Sequence, residues 1–247
     1  MNSTLDTRDP YTFVVQCSPY TGKDKQPRKG AKGVNCHFKN NFHSYTFDGA
    51  SESKKSERRT KAGCNPTKKN ICKIDDKFKN SKGCDEFPLA STSEADQVDQ
   101  IFRCVPEGDN SSQGGQVRGA MEASNICDKK YPCSFTFSFE GASTYRYCNA
   151  STDCVSDGNL FTKGNIPVKS DLQVEPGVTK GGYYQLRSGA TIYSPTDLAI
   201  GTVAVRNAYA HQTIDEAEAV YLESRGLFED DGEEDEELIK DEVVKKL

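Results

Sequence analysis

The chain has no Cys-x-x-Cys pair anywhere, which argues against a zinc ribbon or a redox-active dithiol. It has no apolar run approaching ~18 residues, so no membrane-spanning helix is expected. Met1 to Pro10 lack the apolar core of a secretory leader, and the chain reads as a mature form or a truncated gene model. Histidine is scarce: His37, His43 and His211 are the full set. A histidine base would have to be His37 or His43, both in a basic region, and this stands as a minor alternative to a carboxylate base. Apolar residues are also few, at 34% with a mean hydropathy of −0.73, so the core needs help from elsewhere. No internal repeat is visible.

Cysteine and charge are what the chain has in quantity. Cys17, Cys36, Cys64, Cys72, Cys84, Cys104, Cys127, Cys133, Cys148 and Cys154 all precede residue 155. An even set at wide spacings predicts disulfides and an oxidising compartment, with the pairing left open. Asn2-Ser3-Thr4, Asn110-Ser111-Ser112 and Asn149-Ala150-Ser151 are glycosylation sequons that agree with secretion. The net charge of −5 hides a polarity: residues 20–82 carry 17 Lys/Arg against 6 Asp/Glu, and residues 227–247 carry 3 against 10. The basic stretch suits a polyanion, whereas the acidic run Glu229 to Glu237 reads as a solvated tail.

Tyr11 to Cys17 and Ile101 to Val105 have the β-branched and aromatic density of strands. Ser134 to Glu140 alternates strictly, with Phe135, Phe137 and Phe139 on one face, and the turn Gly141-Ala142-Ser143 predicts a hairpin with Thr144 to Cys148. Gln116 to Ile126 lacks proline and follows residues able to cap a helix. Thr213-Ile214-Asp215-Glu216 is a capping box for a second helix. Short apolar stretches such as Thr202-Val203-Ala204-Val205 suggest a small β-rich extension.

Two segments carry chemistry. The first is Asp85-Glu86-Phe87-Pro88-Leu89-Ala90, extended by Ser91-Thr92; the second is Pro106-Glu107-Gly108-Asp109-Asn110-Ser111-Ser112-Gln113-Gly114. Paired carboxylates, an amide and a glycine-rich turn on irregular backbone meet the needs of metal-assisted hydrolysis. In order, spacing and residue type the pair resembles the NucA/NucB family of secreted deoxyribonucleases, and Arg58-Arg59 is similar to a paired arginine that often precedes the acidic motif there. The resemblance runs from about Arg58 to Gly115. It implies a metal-dependent DNA endonuclease of little sequence specificity, with DNA as partner, RNA left open, no membrane and no obligate protein partner.

Read as residues, Asp85 and Asp109 are the best oxygen ligands for Mg²⁺ or Mn²⁺. Glu86 is the candidate general base, Asn110 and Gln113 position water or phosphate, and Arg58 and Arg59 clamp phosphate oxygens. Asp85 and Glu86 would leave an extended strand on opposite sides, so sharing a metal requires irregular backbone there. The expected fold is α+β: an antiparallel sheet with one or two helices, disulfide cross-linked. The expected organisation is a nuclease-like domain over 1–159, an extension over 160–228 and an acidic tail over 229–247. A disulfide-rich toxin or effector module that binds anionic surfaces without catalysis is the alternative.

Overall fold

The computed structural model describes residues 11–16, 44–64, 70–107, 110, 117, 119–121, 127, 130–140, 150, 158–168, 181–207 and 238–247. In chain order its elements are β1 (Tyr11–Gln16), β2 (Tyr45–Phe47), α1 (Glu52–Ala62), α2 (Ile71–Ile74), β3 (Gly83–Phe87) and β4 (Ile101–Val105). There follow β5 (Cys133–Glu140), β6 (Phe161–Thr162), β7 (Ile166–Pro167), β8 (Gly182–Leu186), β9 (Thr191–Ser194), β10 (Val203–Asn207) and β11 (Leu238–Lys246).

The larger sheet closes on itself. Its order is β1-β10-β11-β8-β9-β5, and β5 returns to pair with β1, giving a six-stranded barrel with β2 added along β5. The smaller sheet has the order β3-β4-β6-β7. Strands thus dominate and helices are few, consistent with α+β only in the coarse sense. The larger sheet is not the wholly antiparallel one expected: β1 runs parallel to both neighbours, β5 and β10.

Strand pleating sorts the core into layers. Val14, Ala204, Tyr184, Leu186, Ile192 and Val243 point into the barrel. On its outer wall Phe13, Val15, Phe135, Phe137, Phe139, Tyr193 and Val205 form one layer with Phe87 and Ile101 of the smaller sheet and with Val117, Ala120 and Met121. The last three are helical, within the predicted Gln116 to Ile126 span. The far face of the smaller sheet holds Cys64, Cys72, Phe78, Phe102, Cys104 and Phe161. The alternation read in Ser134 to Glu140 is β5, whose three phenylalanines lie in the middle layer. Its other face, Thr136, Ser138 and Glu140, is also buried, because it lines the barrel.

Cys64–Cys84, Cys72–Cys104 and Cys127–Cys133 are disulfide-bonded, which accounts for every cysteine among the described residues. Cys17, Cys36, Cys148 and Cys154, the three histidines, the proposed hairpin return Thr144 to Cys148, the helix after Thr213 and the acidic run Glu229 to Glu237 lie outside them. Leu238–Lys246, at the end of what the sequence reads as an acidic tail, is a strand paired with β10 on one side and β8 on the other. No helix among the described residues is long and apolar enough to cross a membrane.

Candidate active site

The site is built on β3, whose only strand partner among the described residues is β4. Cys84 faces Cys104, Asp85 faces Arg103, Glu86 faces Phe102 and Phe87 faces Ile101. Asn159 accepts from the Cys104 N–H and donates to the Cys104 carbonyl, both at 3.0 Å, so these groups point away from β3. Cys84 and Cys104 are then a non-hydrogen-bonded pair, and the backbone groups of Cys84 and Glu86 point away from β4. Asn110 Nδ2 donates to the Cys84 carbonyl at 3.3 Å. Asn110, from the second motif, thus contacts the strand that carries the first.

β3 is regular here, and regularity separates its two carboxylates. Asp85 shares a face with Phe87, Ile101 and Arg103, toward the barrel; Glu86 shares the opposite face with Cys84 and Phe102, toward α1. The irregular backbone needed to bring both onto one metal is absent at these two residues. Asp109 and Gln113 lie outside the described residues.

Glu86 is 13% exposed and meets Arg59 Nε at 3.5 Å, while Arg59 itself is 43% exposed. Burial raises its carboxyl above the usual carboxylate range. Arg59, its own N–H and the Ala90 N–H, which both donate to the carboxylate, oppose that rise. A carboxylate with a raised pKa beside a movable cation in a partly dry site has the character of an acid–base group.

The two arginines are placed differently. α1 starts at the N-cap Ser51, whose side chain accepts from the Lys54 N–H, and ends at Gly63 with a φ of 105°, a conformation that favours glycine. Arg59 turns outward to Glu86 and, at 4.0 Å, Glu52. Arg58, 3% exposed, turns inward. Its Nη2 reaches Asp48 Oδ2 at 2.6 Å and Asp96 Oδ2 at 2.7 Å, its Nε donates to Asp96 Oδ2 at 3.2 Å, and its Nη1 donates to the Ala90 carbonyl at 3.0 Å. Arg59 is therefore the arginine of the pair that solvent reaches.

Arg103, Asp48, Asp96 and Asn159 escaped the sequence reading. Arg103 left one signal, a cation in the middle of the apolar run Ile101-Phe102-Arg103-Cys104-Val105. The two aspartates left none, since they lie 10 and 38 residues from the arginine they hold.

Mg²⁺ and Mn²⁺ take oxygen ligands, usually one or two carboxylates with waters and substrate phosphate. No group of three His, Cys, Asp or Glu side chains able to hold a metal occurs among the described residues. Asp85 and Asp109 would be the two carboxylates of such a set, oxygen donors of the kind a hard cation takes, and Glu86, on the opposite face of β3 from Asp85, would lie outside it.

Residues 31–132 match the family model described as Deoxyribonuclease NucA/NucB. This segment is similar to that family, in keeping with its two motifs; it spans β2 to β4 with α1 and α2, under half of the chain. No curated protein and no solved structure matches the chain.

Proposed function

We propose that this chain is a secreted, metal-dependent endonuclease that hydrolyses DNA phosphodiester bonds with little sequence specificity. The observation that carries the reading is Glu86, a mostly buried carboxylate on β3, ion-paired to a half-exposed arginine within a segment that matches the NucA/NucB family model. Glu86 takes the proton of the attacking water. Its raised pKa brings it nearer neutrality, where a base is most effective. Arg59 swings from Glu86 and Glu52 onto a phosphate oxygen, where a planar guanidinium offers paired donors. Asn110 contacts β3 through the Cys84 carbonyl, and in this reading Asp109 and Gln113 act from the same motif. Asp85 and Asp109 would hold Mg²⁺ or Mn²⁺; when bound, the cation offsets charge building on the phosphate and acidifies water.

Secretion is supported by the pairing of all six described cysteines, since such bonds persist in oxidising compartments. The test is plasmid cleavage by the purified chain with Mg²⁺ or Mn²⁺, with and without EDTA, alongside Glu86→Gln and Asp85→Ala. Cleavage that EDTA abolishes, and a loss of at least ~10²-fold in each variant, is the expected result. Full cleavage by Glu86→Gln would sink the role of Glu86. DNA binding without cleavage under any metal would favour the non-catalytic module.

A further inference from the structure

Arg58 is the only fully buried basic residue of α1, and its contacts tie together three segments that are distant in sequence. Asp48 precedes the helix, Ala90 follows Pro88 in the first motif, and Asp96 ends the 3-10 turn Ser93–Asp96. Two of these ties bear on Glu86. Ala90, whose carbonyl accepts from Arg58 Nη1, is the residue whose N–H donates to the Glu86 carboxylate. Arg59 is the next residue along α1, and successive helix residues are about 100° apart around the axis. Fixing Arg58 inward therefore fixes the direction from which Arg59 reaches Glu86.

We propose that Arg58 is a positioning residue, a latch between α1 and the loop after β3 that sets the Arg59 guanidinium and the Ala90 N–H on the Glu86 carboxylate. The proposal rests on the reading of Glu86 as the base. Freeing Arg58 for a phosphate would break two short ion pairs and a carbonyl bond around a guanidinium that is itself buried, whereas Arg59 is half exposed and held only by longer contacts to Glu86 at 3.5 Å and Glu52 at 4.0 Å. The latch needs arginine specifically. A planar fork serves two carboxylates and a carbonyl at once, and a lysine ammonium on one stem does not reproduce that geometry.

The decisive variant is Arg58→Lys, which keeps the charge and most of the volume, compared with Arg59→Ala, the double variant and Glu86→Gln. Tyr184→Phe, which removes a barrel hydrogen bond to Asp197, serves as a control for stability loss alone. All are assayed well below their melting temperatures. In Arg58→Lys, kcat is expected to fall about 10- to 100-fold with the KM for DNA within about 2-fold, as for a misplaced rather than missing binding group. Arg59→Ala should then cost less in the Arg58→Lys background than in the native chain. Hydrogen exchange at the Ala90 amide should quicken at least ~10-fold while the Cys104 amide, held by Asn159, stays protected. Tyr184→Phe should change none of these. A folded Arg58→Lys with native kcat, or with native exchange at Ala90, overturns the latch. A rise in KM with kcat unchanged also overturns it, by making Arg58 a substrate contact. Full activity in Glu86→Gln with fast exchange at Ala90 in Arg58→Lys identifies the base assignment as the failed premise.

Discussion

Glu86 and Glu140 are both buried carboxylates facing an arginine, and they differ in what else that arginine holds. Arg59 is half exposed and bound only loosely elsewhere. Arg206 is buried inside the barrel, with its Nε on Asp241 Oδ2 at 3.2 Å and its Nη1 3.8 Å from Glu140 Oε2. Burial, with Asp241 adding to it and Arg206 opposing it, pushes the Glu140 carboxyl from 4.5 up to about 7. The folded chain thus holds a proton between those pH values that the unfolded chain has released. Stability should be greatest below pH ~4.5 as far as this group is concerned, and should fall by on the order of 3 kcal/mol as the pH rises through about 7. Thermal unfolding of Glu140→Gln over pH 4–8, compared with the native chain, measures this contribution. A flatter profile in the variant is the expected result; parallel profiles would show that the barrel interior stays wet enough to solvate the charge.

Among the elements, α2 shows most plainly what disulfides do in a polar chain. Four residues cannot hold a helix alone, because nucleation costs more than one turn returns. Ile71–Ile74 persists between its N-cap Asn70, whose side chain accepts from the Lys73 N–H, and the Cys72–Cys104 bond to β4. Cys64–Cys84 does the same for the end of α1 and β3. Phe102 stacks on Phe161 between them, with ring centres 5.6 Å apart. Removing Cys72–Cys104 by paired Cys→Ala changes should cost about 4 kcal/mol, the chain-entropy value for a loop of that size. Urea titration gives the number. A loss below about 1 kcal/mol would mean that the aromatic stack alone secures this face.

At the scale of the whole molecule, the nuclease-family segment is the connection between two neighbouring barrel strands. β1 and β5 are parallel, and parallel neighbours need a long crossover. The crossover here is β2, α1, α2, β3, β4 and the helical residues that pack Val117, Ala120 and Met121 on the barrel wall. The chain after β7 then supplies the remaining four staves, β8 to β11. The last stave is internal to the barrel order, so a chain ending at residue 237 leaves β10 and β8 with open edges and takes Val243 and Asp241 from the interior. Loss of a cooperative thermal transition, followed by circular dichroism, is the expected outcome. A truncated chain that melts like the native one would show that β11 is dispensable.

Local patterns were enough for β1, β4 and β5, for the helix that carries Ala120 and Met121, and for the prediction of disulfides. They also sufficed to name the two motifs, because turn residues, β-branched runs and alternation act within a few residues of one another. The sequence likewise stated the condition on Asp85 and Glu86, that a regular strand parts them, without showing whether β3 is regular. That answer came from pairing with β4, a contact between segments 14 to 22 residues apart. Arg58 and Arg59 look equivalent in the chain; only the arrival of Asp48, Ala90 and Asp96 from elsewhere makes one a buried tie and leaves the other at the surface. β11 was hidden for a related reason. Asp241 faces inward only because Arg206 meets it there, and a charge in Leu238–Lys246 reads as solvated until its partner strand is in place. Strand closure and ion pairing are set by which distant segments meet, and that information resides in no single stretch of the chain.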